Sequence, residues 1–250
     1  MEHSLAELGK RHSVRNYLVE PIPEELRKRL MADVTMVNSH EAGLNMQLVF
    51  DDPDPLGGFR HSYGMFRNAR NYLAPVVDPT FDNAVERAGY FTQQWVMGAV
   101  CAGLGTCFIS GTYSSSLVKA RMEVYEKLPF IVAFGYSAEK PVIGIGSLMA
   151  KFAHRKKMVA RDFFQGSDNE YAKARSLYPW LDTGLEGMAC APSAMNRREI
   201  RVRLNGENLE TCSQGECNPI DLGIAKYNFI APLPVDAEWE WGENGKLVIL

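Results

Sequence analysis

The chain lacks any apolar run that approaches the roughly 20 residues needed to cross a bilayer as a helix. Its first residues, Met-Glu-His, do not begin a charged segment followed by an apolar one, so we expect no secretory signal peptide. Charge of one sign does not dominate either, because the net charge is -3 and the pI is near 6.0. This balance excludes a strong electrostatic surface for nucleic acid, and together these features predict a cytoplasmic protein with no membrane or nucleic-acid partner.

Cysteine is scarce, and the five residues show no framework spacing. This number favours reduced thiols over a disulfide scaffold. Cys212 and Cys217 are close enough in sequence to raise the question of a metal site. However, no further Cys or His pair completes a four-ligand set, so we expect no metal.

With 46% hydrophobic and 23% charged residues, the 250-residue chain has the composition of a globular protein. In residues 82–104, small and apolar side chains recur at three- and four-residue intervals, which predicts a helix packed closely against another. Apolar runs at 107–109 and 129–135 predict buried strands. Further helices are predicted at 170–177, 180–190 and 219–230, a strand at 200–204 and a hairpin at 239–250. The pattern predicts an α+β protein.

A shift in composition divides the chain. Between residues 140 and 158 glycine becomes frequent and a basic run follows. We therefore predict two halves, residues 1–155 and residues 156–250. A helix–strand–helix order in both halves suggests an internal duplication.

The first candidate binding segment is residues 11–15, hereafter the arginine segment. In an extended chain alternate side chains share one face, so Arg11, Ser13 and Arg15 would point together. Two guanidinium groups and a hydroxyl suit a phosphate, to which Arg makes bidentate, charge-assisted hydrogen bonds. The alternative interpretation is a solvated edge of the chain.

The second candidate is Gly-Leu-Gly-Thr at residues 103–106, hereafter the glycine turn. A helix C-cap followed by a strand explains both glycines without a ligand. In the functional interpretation, the missing side chains let backbone N–H groups approach a planar ring. No strand–GxGxxG–helix arrangement surrounds the turn, so it is not a dinucleotide-binding motif.

The third candidate is Ala-Pro-Ser-Ala-Met-Asn at residues 191–196, hereafter the late segment. Pro192 lies where the preceding helix should stop, and Ser193 and Asn196 are residue types that cap a following turn. The functional alternative is that these three residues line a pocket for a polar heterocycle.

In this order, the three segments resemble the flavin-binding elements of the nitroreductase-like flavoproteins. The opening Arg-His-Ser-Val-Arg-Asn-Tyr resembles the family's N terminus. Residues 93–107 resemble its central helix with the glycine turn, and residues 129–136 resemble the strand that follows. The resemblance is close over residues 9–160 and weaker beyond them. It implies a nitroreductase-like α+β fold, with a central, mostly antiparallel sheet flanked by helices, and one FMN per chain.

The position of the late segment makes the resemblance more specific. Typical members are homodimers in which an early Pro-Ser-x-x-Asn segment of one subunit completes the flavin site of the other. Here residues 38–45 lack that pattern, and it appears at residues 191–196 instead. Residues 220–226 resemble a degenerate second copy of the central helix. These features imply an internal pseudo-dimer, for which a monomer suffices, although a homodimer is not excluded.

The resemblance implies which residues hold the flavin. The phosphate site would comprise the arginine segment and a second basic element, and the ring would lie between the glycine turn and the late segment, with a cation nearby. The implied residues are Arg11, His12, Ser13, Arg15, Arg155 and Lys157 for the phosphate region, Leu104, Gly105, Thr106 and Arg70 for the ring, and Pro192, Ser193 and Asn196 for the closing side. After Asn196 the chain departs from the family's usual Gln-Pro-Trp type of sequence, so substrate choice is not implied.

The implied reaction is ping-pong transfer: NADH or NADPH reduces the flavin and leaves, and a small acceptor such as a nitroaromatic or a quinone takes its place. Such chemistry requires positioning and an open ring face rather than a catalytic residue of the protein. Two alternatives remain open at this point. The protein could store or sense FMN without turnover, or it could be a cofactor-free fold with a structural role.

Overall fold

The computed structural model describes residues 2–57, 62, 64–138 and 158–250. The described helices are α1 (Leu5–Leu8), α2 (Glu24–His40), α3 (Ala84–Cys101), α4 (Asp168–Leu177), α5 (Leu181–Ala189) and α6 (Pro219–Ile230). The described strands are β1 (Leu44–Val49), β2 (Tyr72–Val77), β3 (Gly105–Ile109), β4 (Ile131–Gly135), β5 (Ile200–Asn205), β6 (Asn208–Ser213), β7 (Ala237–Trp239) and β8 (Leu247–Ile249).

The chain forms two compact units, which are described separately. The sheet unit comprises residues 11–84 and 95–155, and the helical unit comprises residues 1–10, 85–94 and 156–250. Residues 1–10 and 85–94 thus group with the C-terminal part of the chain. A division of the sequence at one position cannot describe this grouping. The internal pseudo-dimer stays a prediction.

In the sheet unit, four antiparallel strands lie in the order β1-β2-β4-β3. Every residue of β2 and β4 is buried, as expected for strands covered on both faces. Trp95 of α3 helps to cover the sheet, since its indole N–H donates to the carbonyl oxygen of Leu30 in α2 at 3.3 Å. Its ring also contacts Phe134 of β4 edge-on at 5.2 Å. The predicted buried strands and the mostly antiparallel sheet are therefore confirmed.

The helical unit is organised around α6, whose residues 222–229 are all buried. A helix that is buried on every side needs close neighbours. A Cβ atom built on Gly223 would lie 2.0 Å from the carbonyl oxygen of Glu86 in α3, and one on Gly89 would lie 2.5 Å from that of Ile220. On another side, a Cβ on Gly187 of α5 would lie 2.1 Å from the carbonyl oxygen of Asn228. The close packing predicted for the small residues of α3 is observed here.

A buried ion pair links these elements within the helical unit. Lys226 of α6 and Glu86 of α3 are 0% and 2% exposed, and their Nζ and Oε1 atoms lie 2.5 Å apart. The ammonium group also donates to the carbonyl oxygens of Glu240 at 2.7 Å and Gly242 at 2.8 Å. The other carboxylate oxygen of Glu86 accepts from the N–H of Gly242 at 2.6 Å. The pair therefore ties the loop after β7 to two helices.

The remaining differences from the sequence predictions are shifted element ends and one strand that was not predicted. The helix predicted over 180–190 is observed as Leu181–Ala189, and the terminal hairpin is formed by Ala237–Trp239 and Leu247–Ile249. Strand β6 pairs with β5 over its whole length and was not predicted separately. Its alternating polar residues give a weak signal because most of the strand is buried.

Candidate functional site

The arginine segment lies beside the start of β3 in the sheet unit. Ser13 forms a parallel bridge with Thr106, and the N–H of Val14 donates to the carbonyl oxygen of Thr106 at 2.9 Å. Val14 is buried, whereas Arg11 and Arg15 are half-buried and Ser13 is exposed. The bridge shows that the segment is extended at Ser13, but burial does not alternate along it, since His12 and Ser13 are both exposed; that Arg11, Ser13 and Arg15 point together stays a prediction. The structure thus brings together the first two of the three candidate segments.

Gly105 permits this approach. A Cβ atom at this position would lie 2.6 Å from Cγ2 of Val14, closer than two carbon atoms can approach. Gly103 has a φ of +87° just after α3, which is the helix-ending conformation that glycine adopts without cost. Both glycines therefore have a structural role. Whether Leu104, Gly105 and Thr106 also contact a ligand stays a prediction.

Further backbone hydrogen bonds fix the chain that follows the arginine segment. The N–H of Arg67 donates to the carbonyl oxygen of Arg15 at 2.9 Å, and the N–H of Tyr17 donates to that of Arg67 at 3.0 Å. The hydroxyl of Tyr17 donates to the carbonyl oxygen of Val14 at 2.7 Å, and burial raises the pKa of this tyrosine well above its usual value. The segment is thus held on two sides, so the half-buried residues Arg11 and Arg15 extend from a fixed backbone.

The pKa of the Cys107 thiol is affected by the positive charges of the arginine segment. Burial raises the pKa of its thiol, while the charges of Arg15 and Arg11 and a hydrogen bond with the Ser13 side chain act in the opposite direction. The positive charges of the arginine segment therefore reach the start of β3. Sequence reasoning placed Cys107 in a buried strand but not among the site residues, and its only signal there is that it follows the glycine turn directly.

Buried polar atoms with unused hydrogen-bonding capacity occur on Arg70 and Thr106 of the sheet unit. Nε of Arg70 and Oγ1 of Thr106 are buried and make no hydrogen bond with any residue that the structure describes. Such atoms in a native protein call for an explanation, of which a bound group is one. Arg70 lies just before β2, where its carbonyl oxygen accepts from the N–H of Asp52 at 2.7 Å. In the sheet β4 lies between β2 and β3, so one strand separates the start of β2, next to Arg70, from Thr106 in β3.

The late segment belongs to the helical unit. Residues Ala194–Asn196 form a 3-10 turn after α5. The hydroxyl oxygen of Ser193 accepts from the N–H of Arg198 at 2.9 Å, and Nε of Arg198 donates to Oδ1 of Asn196 at 2.9 Å. The polar side chains of the segment therefore hydrogen-bond to the chain just after the turn, but Ser193 makes no side-chain capping hydrogen bond to the turn itself. A contact of Pro192, Ser193 and Asn196 with a flavin stays a prediction.

Asp221 of α6 is a residue of this region that sequence reasoning missed. Both of its carboxylate oxygens accept from the N–H of Ala194 at 3.0 Å. Burial raises the pKa of Asp221 to about 6, against the opposing effect of this hydrogen bond. In the sequence it is an acid in a first helical turn, which the helix dipole alone explains.

Two predicted phosphate ligands, Arg155 and Lys157, lie outside the described residues. His12 is exposed at the arginine segment. Within the described ranges there is no cluster of three or more His, Cys, Asp or Glu side chains that could hold a metal ion. In the same part of the chain, no helix is long and apolar enough to cross a membrane.

The fold defined by this sheet and its helices is that of the nitroreductase-like α+β proteins. A family model described as "Putative TM nitroreductase" matches residues 5–231. The match spans most of the chain, which therefore belongs to this nitroreductase family. A search of curated proteins found no match.

One solved structure supports the fold. A protein described as a putative nitroreductase from Thermotoga maritima MSB8 is 19% identical, with coverage of 100% of this chain and 94% of its own, at a TM-score of 0.61. An FMN-dependent nitroreductase from Clostridium difficile R20291 is 19% identical over 61% of this chain and 98% of its own, at a TM-score of 0.42. The first similarity supports the fold alone, and the second is too weak to carry an argument.

Proposed function

We propose that this protein is an FMN-dependent oxidoreductase that takes electrons from NADH or NADPH and reduces small acceptors such as nitroaromatics or quinones. The observation that carries the proposal is the pairing of the arginine segment with Thr106. It holds two half-buried arginines and an exposed serine next to the glycine turn. Membership of the nitroreductase family supports the same class of reaction.

The residues present fit a flavin mononucleotide. Arg11 and Arg15 offer planar donors that match phosphate oxygens, and their partial burial strengthens charge interactions relative to bulk water. The Ser13 hydroxyl adds a further donor on an exposed position. Nε of Arg70 and Oγ1 of Thr106 are buried atoms to which a polar cofactor could offer hydrogen bonds.

When bound, FMN supplies the redox chemistry by accepting hydride and passing electrons on. The chain's own residues hold, orient and shield the cofactor, and a cation at Arg70 favours negative charge on the ring. His12, Arg155 and Lys157 at the phosphate, Leu104 and Gly105 at the ring, and Pro192, Ser193 and Asn196 on the closing side complete the proposed set on the strength of the sequence resemblance.

The first test is the visible absorption spectrum of the purified protein with and without added FMN, followed by anaerobic NADH or NADPH. We expect flavin bands near about 370 and 450 nm that bleach with a reduced nicotinamide. Bands that persist with both nicotinamides would instead favour FMN storage or sensing. A protein that binds no FMN at all would contradict the proposal and favour the cofactor-free alternative.

The phosphate site has its own test. The double variant Arg11→Ala, Arg15→Ala should lose FMN, because it removes both guanidinium groups of the arginine segment. The matched control is Lys28→Ala, Arg29→Ala, which removes the same charge from exposed positions of α2 in the same unit. Equal FMN retention by the two double variants would refute the phosphate assignment.

A further inference from the structure

The late segment adopts a backbone that its sequence alone disfavours. Met195, Asn196 and Arg198 have φ angles of 50°, 54° and 53°, in the left-handed region that residues with a Cβ atom rarely enter. Met195 is 70% exposed, so packing of its side chain does not compensate. Such conformations persist where surrounding contacts enforce them, and they cluster at ligand-binding places.

Asp221 supplies an enforcing contact from outside the segment. Its two carboxylate oxygens accept from the N–H of Ala194, the first residue of the 3-10 turn. The carboxylate projects from the first turn of α6, which is a rigid support because α3 and α5 pack closely against that helix.

The cavity beside this carboxylate is small. Asp221, Ser193, Arg198 and Glu199 are among the residues that line a cavity of ≈ 10 Å³. That volume holds about one water molecule. The carboxylate therefore serves the segment itself rather than a second binding site.

We propose that Asp221 is a positioning residue that holds the late segment, through the backbone of Ala194, in the conformation needed to bind the cofactor. This inference rests on the proposed function, which assigns Pro192, Ser193 and Asn196 to the flavin. Asp221 acts through Ala194 and takes no part in the chemical step.

Because of the groups around Asp221, we expect the stability of the held conformation to depend on pH. Burial raises its pKa to about 6, the carboxylate of Glu199 adds to that effect, and the Ala194 N–H and the charge of Arg197 oppose it. Arg198 lines the same cavity. If the segment is released, Asp221 becomes hydrated and its pKa returns towards 3.8. Asp221 therefore binds a proton more readily in the held conformation than in the released one. As the pH rises through 6 and Asp221 loses that proton, the held conformation becomes less stable relative to the released one.

The test uses Asp221→Asn and Asp221→Ala in the full-length protein. Asn keeps an oxygen that accepts from Ala194 but carries no charge, whereas Ala removes the acceptor. Trypsin cleavage after Arg197 and Arg198 at pH 8, without cofactor, measures release of the segment. We expect cleavage about tenfold faster in the Ala variant, and no faster than wild type in the Asn variant. Asp168→Ala is the matched control, since it removes a 97% exposed acid from the first turn of α4 in the same unit.

FMN affinity supplies the second measurement. The dissociation constant, from quenching of flavin fluorescence, should rise about tenfold in the Ala variant at pH 8. The ratio of the wild-type constant to that of the Asn variant should increase between pH 5 and pH 8 with a midpoint near 6. The FMN phosphate also changes its charge in this pH range, but it does so equally for both proteins, so its effect cancels in the ratio.

The outcomes separate the two proposals. Cleavage of the Ala variant at the wild-type rate would refute the positioning role, whatever the flavin does. Faster cleavage with unchanged FMN affinity would also overturn it, because the segment would then be held for another reason. If the wild-type protein binds no FMN, the proposed function fails first and this inference fails with it. A circular dichroism melt that shows the Ala variant folded excludes global unfolding, and the Asn variant tests the proposal independently.

Discussion

Replacing Gly89 by Ala should destabilise the protein, whereas the same replacement at Gly98, further along α3, should stabilise it. Both residues are helical glycines, so a propensity scale predicts the same gain at each. They differ only in their tertiary surroundings. The pair therefore isolates close helix packing from intrinsic helix preference.

The expected magnitudes follow from the space around each Cβ atom. At Gly89 the added carbon would lie 2.5 Å from the carbonyl oxygen and 3.1 Å from the Cα of Ile220 in α6, which are backbone atoms. Helix α6 cannot move away freely, because its Asn228 carbonyl packs equally closely over Gly187 of α5. Overpacking of this kind costs about 1–3 kcal/mol. Around Gly98 no atom of the residues that the structure describes lies within 4 Å of the added carbon, so the usual gain of about 0.5–1 kcal/mol applies.

Urea unfolding followed by circular dichroism provides the assay, with the transition midpoint and the slope compared between variants. We expect the midpoint to fall for Gly89→Ala and to rise for Gly98→Ala, with unchanged slopes. Because the chain has two compact units, a second transition would be assigned before free energies are compared. Equal midpoints for the two variants would refute the close approach of α3 and α6.

Three further predictions concern other contacts. Glu86→Ala should destabilise the protein by about 3–5 kcal/mol in urea unfolding, because it leaves the ammonium of Lys226 buried without its carboxylate; a loss below 1 kcal/mol would contradict this. The pKa of Asp221 is raised to about 6 in the folded protein, so its ionisation lowers stability as pH rises from about 4 to 7, and Asp221→Asn should remove that part of the pH dependence; parallel pH–stability curves would be the contrary result. Gly105→Ala should weaken FMN binding by pushing Val14 away from β3, and Val14→Ala in addition should restore part of it; a double variant no better than the single one would argue against the contact.

Much of the fold could be predicted from local pattern. The helix Pro219–Ile230 was predicted to the residue, since a proline and an acid mark its start and apolar residues continue along it. The strands predicted from apolar runs at 107–109 and 129–135 are observed at Gly105–Ile109 and Ile131–Gly135. Strand β6 was missed, because its alternation is concealed by the burial of its polar residues.

The candidate site was predictable in part. The arginine segment and the glycine turn were recognised as separate elements, and the structure pairs Ser13 with Thr106. The reason for Gly105 was not predictable, because it depends on Val14, a residue distant in the chain. Asp221 was missed for the same reason, since its partner Ala194 is 27 positions away.

The sequence by itself determined which segments form helices and strands, and to which family the chain belongs, because hydrophobic periodicity, capping residues and short motifs are local properties. Only the tertiary structure decided which residues meet. It placed residues 85–94 with the C-terminal helices, buried Lys226 against Glu86, and set Asp221 beneath Ala194. Burial and charge pairing depend on chain segments that approach in space, and so do the pKa of Asp221 and the intolerance of Gly89 for a side chain.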